Sequence, residues 1–143
     1  MSTTLKNSEE GKNRAYIQHL CEIGLYNYTF MICEAYSKRD WDKLNDVSLK
    51  FERDCYNIGE VEIVGKLIIL RLLLEAHPTE GYYVEGTLRK IFELTYALQK
   101  HLITYLENLS VKLDENKIHY ITKIEDLFDE KYNSWSYNSC SLQ

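Results

Sequence analysis

Val84, Leu88, Ile91, Thr95, Leu98, Leu102, Tyr105 and Leu109 follow one another at intervals of three and four residues. That interval is the period of one helix face, and a stripe sustained over about seven turns has no counterpart in a strand. A helix of this kind buries its stripe against other helices rather than standing alone in water. The rest of the chain supplies them. One proline and six glycines in 143 residues are too few for the tight turns of a sandwich or barrel.

Upstream, residues 14–38 are rich in apolar and aromatic side chains. Tyr26, Phe30 and Cys33 recur at helical spacing, with Leu25, Tyr28, Ile32 and Tyr36 on an adjacent strip. So wide an apolar surface predicts a helix buried on more than one side, kinked or divided at Gly24. Asp40 is placed to cap a second helix, whose stripe is Trp41, Leu44, Val47, Ser48, Phe51 and Cys55. Asn57-Ile58-Gly59 ends it, since Asn and Gly tolerate the backbone angles of a helix end. A third helix over about residues 60–76 is apolar nearly all round in its second half, and His77-Pro78 stops it. After the long fourth helix, Asp114 is placed to cap a short fifth carrying Ile118, Ile121, Ile124 and Phe128. The pattern predicts an all-α, up-and-down four-helix bundle with a short additional C-terminal helix, over residues 13–132. Residues 1–12 and 133–143 are polar and expected to be flexible.

Charge removes several functions. The balance is 17 basic against 22 acidic residues, net −5, without a basic cluster, so a nucleic-acid partner is not expected. The run from Val61 to Ala76 is broken by Glu62, Lys66, Arg71 and Glu75, which argues against membrane insertion. The start MSTTLKNSEEGKNR has no apolar core, so a soluble, cytoplasmic protein is expected, free or within a larger intracellular assembly. Cys21, Cys33, Cys55 and Cys140 form no CxxC pair and read as reduced thiols, three of them packed as small hydrophobes. No metal-ligand cluster, phosphate loop or nucleophile elbow is present, so neither cofactor nor catalysis is expected. His19 and His101 lie among apolar residues of helices and read as core or boundary residues, and His77 as a helix-end residue. His119, four residues after Glu115, falls short of the paired motifs of a di-iron bundle.

The segment from Asp40 to Ala76, DWDKLNDVSLKFERDCYNIGEVEIVGKLIILRLLLEA, resembles the signature region of histidine-phosphotransfer domains. Asp40, Trp41 and Asp42 match its acidic-Trp start, and Leu44 and Val47 its core positions. Phe51 matches the hydrophobic residue two after the histidine, and Asn57, Ile58 and Gly59 the helix end. Ile63, Leu67, Leu70 and Glu75 match the helix that follows. In this register Leu49 stands at the histidine position, Glu52 at the lysine and Arg53 at the glycine. A register that keeps Lys50 as the lysine puts Val47 at the histidine position and misaligns Asn57-Ile58-Gly59. Neither supplies a histidine. The resemblance implies the bundle and a receiver or kinase domain as partner, while the departures imply that phosphoryl transfer is lost. An imidazole nucleophile takes and returns the phosphoryl group, and a leucine cannot. Glu52 would repel that group, and Arg53 would crowd a close-docking surface.

Leu49 also stands out by its position. It lies off the stripe of its helix, among Asn45, Asp46, Glu52 and Arg53, with Tyr56 two turns further on the same side. A lone exposed leucine is common; a leucine and a tyrosine on a polar face also suit a protein partner. Asn45, Leu49, Glu52, Arg53 and Tyr56 are the candidate partner-binding residues. The expected function is a non-catalytic interaction module, an adaptor or scaffold unable to accept a phosphoryl group. Two alternatives stand beside it. One is a small structural subunit of a larger assembly, suggested by the apolar stretch from Ile68 to Leu74. The other is an active phosphorelay intermediate with a displaced histidine, His101.

Overall fold

The computed structural model describes residues 13–76 and 81–122, with side chains for all of these but residues 81–83. The described residues form four helices and no strand. They are α1 (residues 13–37), α2 (Trp41–Asn57), α3 (Val61–Ala76) and α4 (Gly81–Asn108). Helix α1 changes pitch once, through a π turn at Leu20–Gly24. Gly24 thus does not break the helix. A Cβ there would come within 3.0 Å of Leu20 Cδ2, so the turn closes only around a glycine or a displaced leucine.

The helix ends follow from local chemistry. Asp40 caps α2, its carboxylate accepting from the Lys43 amide at 3.1 Å. Helices α1, α2 and α4 close alike: a residue at positive φ, then an amide reaching back into the last turn. These residues are Arg39 (φ 56°), Gly59 (φ 80°) and Ser110 (φ 62°). The closing bonds run from Asp40 to the Ala35 carbonyl (2.9 Å), Glu60 to Cys55 (2.8 Å) and Val111 to Leu106 (3.0 Å). Connections this short turn α1 back on α2 and α2 back on α3.

Each helix buries one stripe. Leu25, Ile32 and Tyr36 from α1 meet Leu44, Val47 and Phe51 from α2, with Tyr28 stacked on Phe51 at 4.6 Å. Ile63, Leu67, Leu70 and Leu74 come from α3, and Val84 through Leu102 follow the expected three-four stripe of α4. One turn later Leu106 is buried instead of Tyr105, which is 43% exposed. A strict three-four alternation drifts off a 3.6-residue helix, and the buried face follows the helix. Tyr36 reaches Glu85 at 3.3 Å and Gln99 reaches the Cys21 carbonyl at 2.9 Å, so α4 runs antiparallel to α1 and closes the bundle. Although α3 is apolar nearly all round, only one of its faces is covered; Val61, Ile68, Ile69 and Leu72 are exposed.

The fifth helix is where expectation and structure part. Asp114 does cap, accepting from the Asn116 amide at 3.0 Å, but only for the 3-10 turn Glu115–Lys117. Ile118 then takes extended angles (φ −84°, ψ 119°), and no helix forms through Thr122. Ile118 and Ile121 are buried as expected, but from an extended backbone whose polar groups bond to α1 and α4. Ile124 and Phe128 lie outside the described residues, as do His77, Cys140 and both tails expected to be flexible. Among the described residues no helix is long and apolar enough to cross a membrane.

Candidate functional site

The outward face of α2 carries the residues singled out by the sequence. Leu49 is 43% and Tyr56 73% exposed, two turns apart on one side. Asn45 and Arg53 are exposed on the same side. Beside Leu49, Lys50 pairs with Asp46 at 3.2 Å, so the local charges are matched around an apolar centre. Asn45, Leu49, Arg53 and Tyr56 therefore come together as one solvent-facing strip.

Glu52 does not join them. It is half-buried and turned towards α3, where its Oε1 lies 3.0 Å from Arg71 Nη2. The pair is close but poorly aligned: neither Glu52 Oε1 nor Arg71 Nη1 has a hydrogen bond among the described residues. Glu52 thus lies between α2 and α3, apart from the solvent-facing strip. Helical periodicity places it near Leu49; only the packing of α3 brings Arg71 alongside.

A second polar centre went unseen in the sequence. Tyr16 and Tyr28 of α1 both donate their hydroxyls to the Asp54 carboxylate of α2. Burial first, and then the bond to Asp54, pushes the Tyr16 hydroxyl up to about 12 and that of Tyr28 higher still. Both stay protonated donors. Tyr16 also borders a cleft of about 750 Å3 shared with Asn57, Glu60, His101 and Tyr105. His101 is exposed there, and His19 is exposed on α1; of the core or boundary positions expected for them, both take the boundary, one residue before the buried Leu102 and Leu20. His101 makes no side-chain hydrogen bond with a described residue that would activate it as a nucleophile.

The third centre is Gln99, 2% exposed on α4. Its Nε2 donates to the carbonyls of Cys21 and His119, each at 2.9 Å, and its Oε1 accepts from the Ile121 amide at 2.8 Å. The His119 amide donates to the Glu22 carbonyl at 2.7 Å. Both accepting carbonyls, those of Cys21 and Glu22, belong to the π turn. His119, expected on a helix, is held on an extended segment, its ring 5.4 Å from that of Tyr26. A glutamine beside the apolar position Leu98 is the trace that this clamp leaves in the sequence.

Cys21, Cys33 and Cys55 are buried free thiols, as small hydrophobes would be. Burial first, with Glu22 second, pushes the Cys21 thiol up to about 11. Among the described residues no group of three or more His, Cys, Asp or Glu side chains could hold a metal ion. In comparisons with known proteins, no family model, no curated protein and no solved structure matches this chain.

Proposed function

We propose that the chain is a non-catalytic interaction module of the histidine-phosphotransfer type, binding a protein partner through the outward face of α2. The observation that carries this reading is Leu49: an apolar side chain, 43% exposed, at the position that the resemblance gives to the phosphorylated histidine. A histidine there would have to face solvent to meet a receiver domain, and Leu49 does. Tyr56, Asn45 and Arg53 extend the surface, with an aromatic anchor and an arginine of the kinds enriched where proteins bind. A receiver or kinase domain is the partner class that goes with this reading.

The test is a pull-down with the full chain. Leu49→Asp is expected to weaken the complex about tenfold or more while changing stability by less than about 0.5 kcal/mol, as suits a substitution outside the core. Undiminished binding would remove this face. Incubation with a phosphorylated receiver is expected to leave no acid-labile phosphate on the chain; a phosphorylated His101 would establish the relay alternative instead. The assembly-subunit reading is favoured by the uncovered apolar side of α3, with Leu72 59% exposed.

A further inference from the structure

Between the outer sides of α2 and α3 runs a groove of about 460 Å3, bordered by Trp41, Asp42, Asn45, Ile68, Leu72 and Glu75. Ile68 is 41% and Leu72 59% exposed along it. Arg71 also reaches the groove, but its charge is engaged by Glu52. Asp42 and Glu75 have no cationic partner among the described residues, so two carboxylates stand at the rim, with the Arg39 guanidinium 5.9 Å over the ring of Trp41 at one end.

We propose that this groove receives a cationic amphipathic helix from a protein partner. Three observations select that occupant. The walls are two regular helices whose backbone groups are engaged, so an extended peptide would find few partners for its own amides and carbonyls. A helix brings its hydrogen bonds with it and offers apolar anchors at intervals of three and four. The same chain shows the converse at the π turn, where the Glu22 carbonyl accepts from the extended residue His119, while the Ile121 amide is met by the Gln99 side chain. Finally, the carboxylates of Asp42 and Glu75 favour lysine or arginine flanking those anchors, and a second copy, itself carrying net charge −5, would meet them with like charge.

The inference rests on reading the chain as an interaction module and adds a second contact surface beside the Leu49 strip. Its probe is a fluorescein-labelled leucine-lysine helix of about 15 residues, near the length at which isolated helices persist. The control is the same peptide with glutamate for lysine, and anisotropy is read on the full chain. The lysine peptide is expected to bind about tenfold tighter than the glutamate peptide, and more weakly as salt rises from about 50 to about 300 mM. Leu72→Asp is expected to cost about tenfold. The double variant Asp42→Asn with Glu75→Gln, both at exposed positions, should remove most of the preference for lysine. Equal binding of the two peptides, or indifference to Leu72→Asp, overturns the proposal. So does a concentration-dependent dimer in sedimentation that Leu72→Asp dissociates, since the groove would then belong to a second copy. If the peptide fails while Leu49→Asp still weakens the partner complex, this inference falls and the reading it rests on stands.

Discussion

Gln99 is a polar residue kept inside the bundle because each of its polar atoms has a partner. A buried amide left without partners costs more than a made bond contributes, so the site has little tolerance for partial change. Gln99→Leu keeps the approximate size and orphans the Cys21 and His119 carbonyls and the Ile121 amide. It is expected to lower stability by about 2–4 kcal/mol, read from urea midpoints, and to speed hydrogen exchange at Ile121. Unchanged exchange would mean that the segment is held by Ile118 and Ile121 alone. At this scale the sequence was partly legible. Leu49 could be placed off its stripe from spacing, because a helix surface is set by residues three and four apart. Glu52 could not, because Arg71 comes beside it from another helix. Asp54 with Tyr16 and Tyr28 was hidden for the same reason.

Helices were the most legible elements, and their ends less so. Asp40 and Asn57-Ile58-Gly59 are chemical signals that a reader of the sequence can use. Arg39 and Ser110 adopt the same left-handed closure with side chains that do not advertise it. A residue with a Cβ pays about 1–2 kcal/mol in that region, part of which glycine's greater unfolded freedom offsets. Ser110→Gly is therefore expected to raise stability by about 0.5–1 kcal/mol, and Gly59→Ala to lower it by about 1 kcal/mol. Thermal unfolding of both variants checks the pair; a loss in Ser110→Gly would mean that the hydroxyl contributes more than the strain. The segment after Asp114 marks the limit of periodicity. Ile118 and Ile121 are spaced like a helix face, yet hydrogen bonds with the Gln99 side chain and to the Glu22 carbonyl hold the backbone extended. Spacing records which residues are buried, and hydrogen bonds to groups on other helices decide the backbone that carries them.

For the molecule as a whole, two thiols and three phenols in or beside the core shift in one direction. Burial foremost pushes the Cys21 thiol up to about 11 and the Tyr16 and Tyr36 hydroxyls up to about 12, with Cys55 and Tyr28 higher. In the unfolded chain the thiols lose their protons near 9.0, while the fold keeps them. Above that pH the unfolded state binds fewer protons than the folded state, so stability falls as pH rises. Urea midpoints are expected to be level near about pH 7–8 and to drop between about pH 9 and 11. A level profile across that range would show that these groups are solvated in the folded chain.

The function proposed here places partner binding on one strip of one helix, and site-specific photo-crosslinking tests that most directly. A photoreactive residue is placed singly at Leu49, Tyr56 and the exposed α4 position Glu93, and the full chain is expressed in its native source. The expected result is one crosslinked protein recovered from positions 49 and 56 and absent from position 93. Crosslinks recovered from position 93 alone, or equally from all three, would contradict it.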